Sequence, residues 1–187
     1  MTVYNSKTIL KESIPVVTLL AVIGVVGGFA LNYRIESFVK YPLLLLLVPV
    51  LNAIGGNVAS LLSARLSSAL HTGYIKSKFS GKRLKSNLYA SVILAALVIA
   101  FLCLLLLIGY FVPNLNINIP AIKLILITVG AGMILTIIAC LSAIATSIVS
   151  FRKGVDPDNV AIPIVTTVVD LSGICCLVLM ISVVRIW

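Results

Sequence analysis

The chain has 187 residues, of which 61% are hydrophobic and 10% charged, and its mean hydropathy is +1.23. Soluble domains carry about 25% charged residues, so composition excludes a water-soluble enzyme, and no stretch between apolar segments is long enough to fold alone. The net charge of +9 fits the Lys and Arg bias of cytoplasmic loops in membrane proteins rather than nucleic-acid binding.

A helix needs about 20 apolar residues to cross the hydrocarbon core. Five segments qualify: Ile14–Tyr33, Pro42–Thr72, Leu88–Val112, Pro120–Ser150 and Pro163–Trp187. Together they predict a single all-α integral membrane domain over residues 1–187. The polar N-terminal stretch carries Lys7 and Lys11, and Ile14 to Leu31 then runs without a charge. A signal peptide has a shorter apolar core and a small-residue cleavage site. Asn32-Tyr33-Arg34 is a poor one, so this first span is expected to be retained. Gly24 and Gly28 within it form a GxxxG pair.

The second span contains Pro49, the pair Gly55-Gly56 and the polar Asn57. Proline has no N–H, so the carbonyl of Leu45 loses its helical partner. The two glycines weaken the helix further. This predicts a broken second helix, whose irregular backbone is tolerated at membrane depth only where protein or water covers it. The freed carbonyls and the Asn57 amide oxygen are then candidate cation ligands. A kink for packing, with Asn57 as an interhelical hydrogen bond, is the plainer alternative.

Between spans two and three, Lys76, Lys78, Lys82, Arg83 and Lys85 occur without an acid. Arg152 and Lys153 follow span four. The positive-inside rule places both turns and the N-terminus in the cytoplasm and the C-terminus outside. Arg34, Glu36 and Lys40 fall outside on this scheme and are outweighed. Tyr33, Tyr41, Tyr110 and Trp187 near span ends suit interfacial anchors. Span four carries small residues in two stripes, Gly132–Thr136–Cys140 and Ala139–Ala143–Ser147. Such stripes let backbones approach closely, within one chain or between subunits.

Span five holds Asp170, whereas Glu12, Glu36, Asp156 and Asp158 lie at span ends or in loops. A carboxylate within a span marks a functional path by default. Thr166 and Thr167, four and three residues earlier, share its helix face, and Pro163 frees the carbonyl of Asn159. Asn57 is 16 residues from Gly73 and Asp170 is 12 residues from Asp158. At 1.5 Å per residue these are depths of about 24 Å and about 18 Å, so the two polar sites can meet. A structural ion pair between Asp170 and Arg65 is the competing use of this acid.

Cys103, Cys140, Cys175 and Cys176 lie in apolar spans without metal-type spacing and are expected to be packing residues. His71 is the only histidine and makes neither a triad nor a zinc site. No nucleophile elbow, phosphate loop or HExxH is present, so no enzyme activity is expected. The donors on offer are hard oxygens, which favour magnesium, calcium, manganese or alkali cations over zinc and copper. A sparse, water-holding site suits magnesium, which dehydrates reluctantly and needs only one or two carboxylates. A C2 homodimer would supply two copies of Asp170 on the axis.

GGN at Gly55–Asn57, SARLSSALHTG at Ser63–Gly73, DP at Asp156–Pro157 and PIVTTVVDLSG at Pro163–Gly173 resemble the membrane domain of MgtE-type magnesium transporters and their eukaryotic solute-carrier relatives. The resemblance implies a homodimeric pore in the cell membrane, with Mg2+ as transported ion near the axis. It implies Asp170 as the ion-binding acid and a pore-lining role for the Gly55-Gly56-Asn57 break. With Thr166 and Thr167 these form the candidate metal site. Bacterial members carry long cytoplasmic sensor domains ahead of the pore, and none is expected here. They also continue GGN with further amides, whereas Val58, Ala59 and Ser60 follow here. The eukaryotic members fuse two units, which a dimer would replace. The expected function is therefore a magnesium transporter or channel. A sodium- or proton-coupled divalent cation exchanger and a structural subunit built on the Asp170–Arg65 pair remain the alternatives.

Overall fold

A computed structural model describes residues 6–33, 38, 41–74, 81–112 and 119–186. Arg34, Glu36, Lys40, Lys76, Lys78 and Trp187 lie outside the described residues, as does the side chain of Tyr33. The described residues form five long helices: α1 (Ser6–Tyr33), α2 (Pro42–His71), α3 (Lys82–Gly109), α4 (Ala121–Arg152) and α5 (Pro157–Val184). All five are long and apolar enough to cross a membrane. No strand occurs among the described residues.

Three helices start earlier than expected: α1 at Ser6 rather than Ile14, and α5 and α3, these two for local chemical reasons. Helix α5 starts at Pro157, not Pro163, because Asp156 caps it: its carboxylate accepts from the backbone N–H of Asp158 at 3.1 Å. Pro157 then occupies the first helical position, where a missing N–H costs nothing. Helix α3 starts at Lys82, so Lys82, Arg83 and Lys85 sit on its first turns. Arg83 reaches back to the carbonyl of Tyr74 at 2.8 Å and stacks on the Tyr74 ring.

The expected break in the second helix is not there. α2 runs continuously for 30 residues through Pro49 and the glycine pair. Pro49 removes one backbone hydrogen bond, and one loss does not end a helix held by its neighbours. The glycines serve close approach instead. A Cβ on Gly55 would stand 3.1 Å from Val169 of α5 and 3.2 Å from Leu135 of α4.

α4 is the central post and packs on α2, α3 and α5. Its small residues explain why. Gly132, Thr136, Ala139, Cys140, Ala143 and Ser147 are all buried. A Cβ on Gly132 would meet Ile99 of α3 at 2.8 Å and Leu51 of α2 at 3.3 Å. Both stripes on this helix are therefore used within the chain. The buried hydroxyls of Thr128 and Thr136 bond back to the carbonyls of Leu124 and Gly132, each at 2.8 Å.

Among the described helices, α1 leans on α5 alone. Its packing glycine is Gly27, against Leu171, whereas nothing lies within 4 Å of a Cβ on Gly24 or Gly28. Its polar attachments are at its start. Asn159 donates to the Glu12 carboxylate at 3.0 Å, and the Ser13 hydroxyl donates to the Asn159 carbonyl at 3.4 Å. The carbonyl that Pro163 frees is thus capped by α1.

The helices alternate in direction. At one end of the bundle, His71 of α2 pairs with Asp156 at 3.6 Å and meets Phe151 of α4 edge-on. At the other end, Tyr41 donates to the carbonyl of Ile186 at 3.4 Å, and Lys123 donates to that of Arg185 at 3.1 Å. The lysine charge there faces carbonyls at the negative end of α5.

Candidate functional site

α2 and α5 cross antiparallel at their midpoints. Asn57 is the sixteenth of the 30 residues of α2, and Asp170 is the fourteenth of the 28 of α5. A stripe on α2 made of Asn52, Ala53, Gly56 and Asn57 follows the four-residue spacing of one helix face. Thr166 and Asp170 repeat that spacing on α5. The two stripes border a groove of about 460 Å³, with Pro49 at its edge.

Gly56 keeps this groove open. A Cβ there would touch the Thr166 methyl at 3.9 Å, an ordinary contact, so the position is roomy where Gly55 is tight. The glycine pair therefore divides its work: Gly55 faces inward and packs, Gly56 faces the groove. Thr166 and Thr167 both donate to the carbonyl of Pro163, at 2.9 and 3.1 Å. Their oxygens keep lone pairs for a ligand. Thr166 borders the groove, and Thr167 is not among the lining residues. Asn57 also lines a second, apolar cavity of about 490 Å³ against Leu94 and Val98 of α3. It stands exposed on the crest between the two.

Asp170 is exposed on the outside of the single chain. Among the described residues no cation pairs with it, and Arg65 is itself exposed without forming the competing ion pair. Nor is there a cluster of three or more His, Cys, Asp or Glu side chains among them. The groove thus offers one carboxylate and neutral oxygens from Asn57 and Thr166. Such a set would suit a hard cation held through few direct bonds and retained water. His71, tied to Asp156 and Phe151, lies at the end of the bundle and takes no part.

Asn52 was not singled out from the sequence. Its signal was an amide in an otherwise apolar run, five residues before Asn57 and on the opposite flank of the glycine pair. It bonds across to α5, with its side-chain N–H donating to the Asp170 carbonyl at 3.3 Å.

Five apolar membrane-length helices, with a groove where α2 and α5 meet at their midpoints, define a multi-pass integral membrane protein. The MgtE family, described as a divalent cation transporter, matches residues 48–180. The chain belongs to that family. The match runs from Val48 in α2 to Met180 in α5 and so contains every groove residue. No solved structure matches the chain.

Proposed function

We propose that the chain carries magnesium across the bilayer through a passage that two copies enclose about a two-fold axis. Asp170 of each copy faces the ion, with Asn57, Thr166 and Gly56 lining the approach. The Asp170 carboxylate carries this proposal. It sits at the midpoint of a membrane helix, open to the outside of the chain and without a paired cation among the described residues. Lipid does not accommodate such a charge, so protein or water must cover it. A second copy would cover it and supply the second charge that a divalent ion requires. The sparse donor set favours a hydrated magnesium ion over calcium, which prefers six to eight oxygen ligands. Gly55 supports the site from behind by fixing α2 on α4 and α5, and Thr167 shares the Pro163 carbonyl with Thr166.

Asp170→Asn keeps the size of the side chain and removes its charge. Magnesium uptake should fall by more than about tenfold, each factor of ten corresponding to about 1.4 kcal/mol of lost ion stabilisation. Thermal stabilisation by magnesium should vanish, while the ion-free protein melts no lower than wild type, because two facing carboxylates repel. Retained magnesium stabilisation in the variant would sink the assignment.

A further inference from the structure

Asn52 is held in an unusual way. Its side-chain oxygen is buried and has no hydrogen-bond partner among the described residues. It fills the notch that Gly173 leaves on α5, where any Cβ would collide with it. The nitrogen of the same amide donates to the Asp170 carbonyl. Turning the amide over would set its oxygen against that carbonyl, acceptor facing acceptor. The amide is therefore wedged between the backbones of residues 170 and 173, one turn apart on α5.

Stability does not account for this amide. A buried acceptor without a partner is costly, and an apolar side chain of the same shape is often neutral or better. The clamp does act on the segment that carries Asp170. It fixes the height and rotation of that turn against α2, and so the spacing between the Asp170 carboxylate on α5 and the Asn57 oxygen on α2 across the groove.

We propose that Asn52 is a positioning residue for the Asp170 carboxylate: wedged into the Gly173 notch, it sets the width of the ion groove and hence its discrimination between magnesium and larger divalent ions. This rests on Asp170 being the ion-facing acid. The clamp acts through backbone, so it does not itself need to touch the ion.

The test uses the purified full chain in liposomes, with magnesium and calcium as the probe ions. Asn52→Leu keeps the volume and loses the donor. The expected result is an unchanged or higher melting temperature, together with a rise of about tenfold in half-saturating magnesium, the scale of one lost hydrogen bond. Preference for magnesium over calcium should fall with it, while maximal flux changes less. Gly173→Ala should give the same shift by expelling the amide. Combining Gly173→Ala with Asn52→Ala should be no worse than Asn52→Ala alone, since the collision is gone. Wild-type half-saturation and selectivity in Asn52→Leu, or effects at 52 and 173 that simply multiply, overturn the positioning role. Asp170→Asn in the same liposomes separates the two levels: if it transports as wild type, the ion-site assignment itself has failed, whereas a dead Asp170→Asn beside a normal Asn52→Leu removes the clamp alone.

Discussion

At the scale of single residues, the site turns on which way neighbouring side chains face. Gly55 and Gly56 are adjacent in sequence and differ in environment. Gly55→Val would push into Val169 and Leu135, which already lie 3.1 and 3.2 Å from a bare Cβ. Overpacking of this kind costs about 1–3 kcal/mol, so the melting temperature should drop. Gly56→Ala meets the Thr166 methyl at 3.9 Å and should fold normally, yet it narrows the groove and should slow magnesium flux. Melting curves and liposome flux on both variants check this, and a stability loss confined to Gly56→Ala would reverse the two roles. The sequence made the glycine pair, Asn57 and Asp170 conspicuous because polar or small residues stand out in apolar runs. It could not show that Gly55 packs while Gly56 lines the groove, nor that Asn52 reaches α5. Those facts depend on helix rotation and on contacts more than a hundred residues apart in sequence, such as Asn52 with Asp170.

At the scale of helices, the number of spans was legible because hydropathy over about 20 residues depends on no tertiary contact. The ends were less so. Asp156-Pro157 is a helix-start signature, a capping carboxylate followed by proline at the first position. Pro163 competed as the start only because it opens the more apolar run. The continuous α2 makes a related point. Proline and glycine lower intrinsic helix propensity, but α2 is clasped by α3, α4 and α5, and packing overrides propensity. The small-residue stripes were readable as packing surfaces, though not as to partner. Those on α4 are consumed within the chain, whereas Gly24 and Gly28 on α1 meet nothing within 4 Å.

At the scale of the whole molecule, charge and the groove make two demands on the surroundings. Arg83, Arg152 and Lys153 gather at the bundle end that carries His71 and Asp156. Positive-inside bias would make that end cytoplasmic. A cysteine introduced as Ser80→Cys, just before α3, should then react with an impermeant thiol reagent only in inside-out vesicles, and reaction in intact cells would invert the topology. The second demand is a cover for the α2–α5 face. The α2–α5 face carries the exposed Asn57 and Asp170 at mid-helix, where bare contact with lipid is unfavourable. If a second copy covers this face about a two-fold axis, residues on the groove rim meet their own counterparts. Ala53 is exposed on that rim, and Leu97 is exposed on α3. Cys175 is also exposed, so it is first replaced by serine, and Cys103, Cys140 and Cys176 are buried. In that background Ala53→Cys should form a disulfide-linked dimer in membranes, and Leu97→Cys should not. Magnesium should change the rate of linkage at 53, because an ion held between two carboxylates draws the subunits together. A chain that stays monomeric in native mass measurements, or that links as readily at 97 as at 53, would leave Asp170 without its second charge and remove the two-fold passage.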